Sequence, residues 1–183
     1  KATSLLLLLI LYGSSTPAQQ GRNMEKEKAI WAELETLAPK SVADFKAATE
    51  AMDAGDYDKA VELYQKVNQS APDFDAALRR LGGCLVATGK TDSGFAFMEQ
   101  ALAIRRSPEN LISLAQSLAY PGVGKEGTKA QKSRAYALIK EANRSRQQSD
   151  DPDYLVVQAQ LALDLDNIDD FRSVTEELVA KHP

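Results

Sequence analysis

Sliding the chain along itself by 34 residues lays Ala48 on Gly82, Gly55 on Gly89, Ala60 on Gly94 and Tyr64 on Met98. Small residues fall on small ones and a large apolar residue on another. A period of this length marks a repeated supersecondary unit, each copy hiding its apolar face against the next. Side-chain size assigns the roles. Ala48, Gly82, Ala115 and Ala159 let a first helix approach its partner closely, and Ala60 and Gly94 do the same from the second helix. Gly55 and Gly89 follow the first helices, where the chain turns back through a positive φ. Asp56 or Asp92 then begins the next helix, Tyr57 and Tyr64 fill the space between neighbouring helices, and Pro72 stops the second helix from running on.

The pattern extends beyond the two clearest copies. PENLISLAQSLA (108–119) reads as a first helix and AYALIKEA (135–142) as its partner. From Ala51 to Ala60, Leu85 to Gly94 and Ala162 to Phe171 the step is 9 residues, but from Leu118 to Ala135 it is 17, so YPGVGKEGTK becomes a protruding Gly-rich loop. In the last unit Asp166 and Asn167 replace the turn glycine. Ahead of the first unit, Ile30, Trp31, Leu34 and Leu37 recur at helical spacing before Pro39, as expected of a lone capping helix.

This grammar resembles the tetratricopeptide repeat, most strongly over residues 41–107. The resemblance implies an all-α fold: a right-handed α-solenoid of antiparallel helix pairs, about four repeats plus an N-terminal helix. The expected segments are 1–18 as a signal peptide, 19–40 as linker and capping helix, and 41–74, 75–107, 108–151 and 152–183 as repeats. Lys1, the apolar run Leu5–Tyr12 and the small residues before Gln19 have the order of a secretory signal, with cleavage after Ala18. The run is too short to cross a bilayer, so no membrane span is expected after cleavage. Export to the periplasm or the medium follows as the expectation.

Little catalytic chemistry is visible. Cys84 is the sole cysteine and lies between apolar neighbours, as a small buried hydrophobe does. His182, the sole histidine, is the penultimate residue, a poor place for a triad member. DLDNIDD (164–170) lacks the Gly and bidentate Glu of a calcium loop, with Ile168 at a ligand place and Thr175 where the Glu belongs. GVGKEG (122–127) fails as a phosphate loop, because Ala119 and Glu126 stand where Gly and Ser or Thr are needed. No catalytic residue, cofactor or metal is therefore expected. A net charge of -4 offers no global field for nucleic acid.

Charge is nevertheless unevenly placed. Lys125, Lys129, Lys132, Arg134, Lys140, Arg144 and Arg146 face only Glu126 and Glu141 within 125–146, whereas 150–177 is acidic except for Arg172. The stripe reads as a solvated face against its acidic neighbour, ahead of a site for an acidic partner or anionic lipid.

By resemblance, the first helices would line a concave groove for a protein or peptide, with Phe45, Thr49, Met52, Arg79, Gly83, Val86, Ile112, Gln116, Val156 and Gln160 facing it. Peptide-binding relatives that clamp a terminal carboxylate use a Lys and an Asn where this chain has Phe45 and Thr49, so that activity is not expected. The function expected is a non-catalytic interaction module or scaffold; the alternative is the non-catalytic arm of a larger envelope enzyme or sensor. A final helix bearing Val174 and Leu178 with no cap beyond it implies self-association or further chain.

Overall fold

The structure is a computed structural model that describes residues 22–145 and 152–181. The expected signal segment and His182 lie outside the described residues. Among these there are nine α-helices and no strand: α1 (Met24–Leu37), a short 3-10 turn (Pro39–Ser41), α2 (Val42–Asp53), α3 (Tyr57–Ser70), α4 (Asp75–Ala87), α5 (Thr91–Ile104), α6 (Pro108–Ala119), α7 (Lys129–Ser145), α8 (Asp153–Asp164) and α9 (Ile168–Lys181). The pairs α2/α3, α4/α5, α6/α7 and α8/α9 pack as hairpins, and each hairpin packs on the next. This is the all-α, tetratricopeptide-like solenoid that the repeat implies.

Glycine and alanine set the spacing of the hairpins. A Cβ on Gly82 would lie 2.7 Å from the Gly94 carbonyl oxygen and 2.7 Å from Met98 Cγ; one on Gly94 would lie 2.6 Å from Val86 Cγ2. Helices α4 and α5 thus touch backbone to backbone. Ala48, Ala60, Ala115 and Ala159 are fully buried at the corresponding places.

Three of the four hairpins turn identically. The amide nitrogens of Asp56, Lys90 and Asn167 donate to the carbonyls of Ala51, Leu85 and Ala162 at 2.9, 2.8 and 2.8 Å. Each bond closes over a residue of positive φ: Gly55 at 79°, Gly89 at 84° and Asp166 at 57°. This is the Schellman arrangement, which satisfies carbonyls that the end of a helix would otherwise orphan. The hairpin α6/α7 differs. Its inserted loop returns through Gly127, whose nitrogen donates to the Ala119 carbonyl at 2.7 Å. A Cβ on Gly127 would come within 2.0 Å of the Leu118 oxygen, so the loop closes against the end of α6 only with a bare backbone.

Two local expectations need correction. Tyr64 is fully buried, edge-on to Phe45 with centroids 5.5 Å apart, but Tyr57 is the first residue of α3 and points outward rather than filling an interhelix gap. Asp56 caps α3 by accepting from the Lys59 nitrogen at 3.3 Å, whereas Asp92 lies inside the first turn of α5, which has no side-chain cap. The core runs as three successive apolar clusters, the first from Leu34 to Leu85 with Cys84 inside it, the second from Met98 to Leu161 and the third at α8/α9.

Candidate functional site: the first-helix face and the helix laid upon it

Local chemistry makes α1 a helix with one apolar side. Asn23 caps it by accepting from the nitrogens of Glu25 and Lys26 at 3.1 and 3.2 Å, and Glu25 and Glu27 complement the positive end of its dipole. Ala38 and Pro39 end it. Glu27, Ile30, Trp31 and Leu34 stand at i, i+3, i+4 and i+7 and therefore share a face. Leu34 is fully buried, and Ile30 and Trp31 pack against the first core cluster.

A carboxylate within an apolar stripe needs a partner, and Glu27 finds one in Arg80 at the middle of α4. Glu27 Oε1 accepts from Arg80 Nη2, and from Arg22 Nη1 at 3.3 Å. The other arm of the guanidinium, Arg80 Nη1, donates to Thr49 Oγ1 on α2 at 2.7 Å. Thr49 spends its own proton on the Phe45 carbonyl at 2.9 Å, so the Tyr64 hydroxyl, 2.9 Å away, must be the donor in that contact. Arg80 also stacks over the Phe45 ring at 4.9 Å. A single polar chain, Glu27–Arg80–Thr49–Tyr64, thereby joins α1, α4, α2 and α3 in the interior.

The rim carries exposed pairs that extend the contact to the third unit. Lys26 Nζ lies 3.3 Å from Glu109 in the first turn of α6. Arg105, just before α6, grips the Glu33 carboxylate with two donors, one at 3.2 Å, and lies 3.2 Å from Asp75. Arg22 takes both carboxylate oxygens of Asp53 at 2.5 Å, and Lys46 Nζ sits 4.1 Å above the Trp31 ring. A lone capping helix would touch only the first hairpin; α1 instead lies along the first helices, reaching α2, α4 and the start of α6. The apolar face legible in the sequence is correct, but burying Glu27 against Arg80 requires the helix to lie across this face.

The expected groove residues divide accordingly. Phe45, Thr49 and Val86 are buried, and Phe45 at 0% exposure is core rather than groove surface. Met52 packs on the first cluster, Ile112 on the second and Val156 on the third. Gln160 donates to Asp164 at 2.9 Å, Gln116 is exposed, and Arg79 and Gly83 are half-buried. Burial, with the Arg80 charge adding to it, lowers the Arg79 guanidinium to about 10, and its Nε has no hydrogen-bond partner among the described residues. Sequence reasoning missed Glu27, Arg80 and Arg105. The available signal was an acid at i, i+3, i+7 register with Ile30 and Leu34, and a second arginine one position along from Arg79.

The basic stripe on α7 is largely consumed internally. Lys132 Nζ binds Asp164 at 2.8 Å and Glu126 at 2.7 Å, hydrogen bonds that hold its pKa above the ordinary value. Lys140 lies 3.4 Å from Asp170, which also accepts from Tyr136 and, at 2.9 Å, from Gln158. Arg134 pairs with Glu99. The Asp164 and Asp170 contacts fasten the third hairpin to the fourth, and Arg134–Glu99 ties it back to the second. Among the described residues no group of three His, Cys, Asp or Glu side chains is placed to hold a metal ion, and no helix is long and apolar enough to cross a membrane.

Stacked antiparallel hairpins whose first helices present one side-chain-lined face make up a helical-repeat scaffold, a class whose extended faces serve binding. The tetratricopeptide repeat family model matches residues 51–118, from the end of α2 through α6. Over that segment the chain is similar to tetratricopeptide repeats, a family that generally supplies non-catalytic protein-interaction domains. No curated protein matches the chain.

Proposed function

We propose that this protein is an exported, non-catalytic interaction module that holds a protein or peptide segment against the concave face of α2, α4 and α6. The observation that carries this reading is the seat of α1: side chains from three consecutive units converge on one amphipathic helix. A surface that buries Leu34 and pairs Glu27 has the shape and polarity to hold a polypeptide. Nucleic acid is disfavoured by the net charge of -4. Export rests on the N-terminal apolar run, and it predicts a secreted product whose first residue is Gln19.

The binding reading is tested by capture of partners with the full chain. Arg79→Glu and Gln116→Lys should abolish capture, whereas Arg172→Glu on the far hairpin should not. Equal capture by all three variants would remove the first-helix face from the account. Self-association through α9, where Val179 is exposed, belongs to the same proposal and predicts a concentration-dependent sedimentation coefficient that Val179→Lys abolishes.

A further inference from the structure

We infer that the first-helix face is a receptor for an acidic amphipathic helix of a partner protein, and that α1 is the chain's own displaceable occupant of that seat. The inference rests on the binding reading above and specifies the partner's chemistry. Two independent observations lead to it.

The first is the charge pattern of the seat. The two α1 carboxylates that meet the face, Glu27 and Glu33, each meet an arginine, Arg80 in the interior and Arg105 at the rim. Ile30 and Trp31 between them, and Leu34 just beyond Glu33, supply the apolar contact. A ligand for this seat is therefore a helix with acids six positions apart beside an apolar stripe. A basic helix would place cations against Arg80 and Arg79, where burial makes like charges most costly.

The second is that α1 fills the seat incompletely. Glu27 Oε2, Trp31 Nε1, Arg80 Nε and Arg79 Nε are all buried without a hydrogen-bond partner. Three idle polar atoms on Glu27, Trp31 and Arg80 at the α1 contact, with Arg79 Nε one residue along α4, stand out, because buried polar atoms are nearly always satisfied. A partner helix whose carboxylate reaches Arg79 as well as Arg80 would use donors that α1 leaves unused. The remaining rim contacts, Lys26–Glu109 and Arg22–Asp53, are at least partly exposed and contribute little. Besides the Leu34 and Glu27 contacts, α1 is kept seated by its short tether: only residues 38–41 separate it from α2, which gives it a high effective concentration. A stronger helix need only overcome that advantage.

The test uses the full chain and its single tryptophan, Trp31, as the reporter. The double substitution Glu27→Gln/Leu34→Ala alters α1 alone and leaves the face intact. It should red-shift Trp31 emission while helix content is kept. The probe is a labelled synthetic peptide of residues 22–38 carrying Trp31→Phe, which is silent in that emission, titrated by anisotropy. It should bind the double variant at least tenfold more tightly than the unsubstituted chain, and Arg105→Glu added to the double variant should weaken binding several-fold. The same peptide with Glu27→Lys and Glu33→Lys should not bind.

Equal binding of acidic and basic peptides would overturn the acidic class while leaving a polypeptide-binding face in place. No binding of either peptide, with Trp31 released, would overturn the inference and the binding reading together. Trp31 emission unchanged in the double variant would show that α1 is a fixed structural element and not an occupant. Dimerisation of the double variant, with exchange of α1 between copies, would assign the seat to a second copy and overturn the foreign partner.

Discussion

The neighbouring glycines Gly82 and Gly83 on α4 offer a test of close helix approach in which intrinsic preference cancels. Replacing either by alanine gains about 1 kcal/mol of helix propensity. At Gly83 the new Cβ would meet only Met98 Cε at 3.7 Å, an ordinary contact, so Gly83→Ala should stabilise by about 0.5–1 kcal/mol. At Gly82 the same atom would lie 2.7 Å from the Gly94 carbonyl oxygen, a backbone atom that cannot swing away, and α4 and α5 would have to separate. Overpacking of this kind costs about 1–3 kcal/mol, which cancels or exceeds the propensity gain. The two variants should therefore differ by about 1–3 kcal/mol. With a slope of about 2 kcal/mol per molar urea, this places their unfolding midpoints about 1 M apart by circular dichroism. A Gly82→Ala variant as stable as Gly83→Ala would refute the argument that hairpin packing depends on a missing side chain here.

Other consequences follow from the same contacts. Thr49→Val keeps the shape but strips the acceptor from Arg80 and Tyr64, leaving two buried donors unsatisfied; a loss of about 2–3 kcal/mol in urea unfolding is expected. Burial pushes the Cys84 thiol up to about 12, so it stays protonated through neutral and mildly alkaline pH, and labelling by a disulfide reagent should await unfolding. Because that folded value is raised, its contribution to stability is complete below the ordinary 9.0 and is lost as pH rises towards about 12. Burial alone would raise Asp164 and Asp170, but hydrogen bonds from Lys132 and Gln160 to the first, and from Tyr136 and Gln158 to the second, hold both below the ordinary value. Their contribution is present above pH 3.8 and lost as pH falls through the lower folded values, so acid melting should be blunted in Asp164→Asn.

How much was legible in the sequence depended on whether a feature was local. Turn residues were readable because a Schellman turn makes a backbone demand at one position: Gly55, Gly89 and even Asp166 meet it with positive φ. The small residues at Ala48 and Gly82 were readable because backbone contact excludes bulk whatever the neighbours are. The face of the first helices was harder to read, since a helix turns about 100° per residue and an error of one position exchanges Arg79 for Arg80. Phe45 and Thr49, which family geometry places on the surface, are buried because α1 lies over them and a polar chain ties Thr49 to Arg80. The seat of α1 depends on contacts such as Lys26–Glu109 across 83 residues, and no periodicity encodes a pairing of that range.

That pairing is also where the account is most exposed. Zero-length carbodiimide coupling of the full chain, read by mass spectrometry, should join Lys26 to Glu109, whose charged atoms lie 3.3 Å apart, within one molecule. Coupling of Lys26 only to carboxylates of α1 or of the first hairpin would contradict the placement of α1 across three units and remove the basis for the proposed helix receptor.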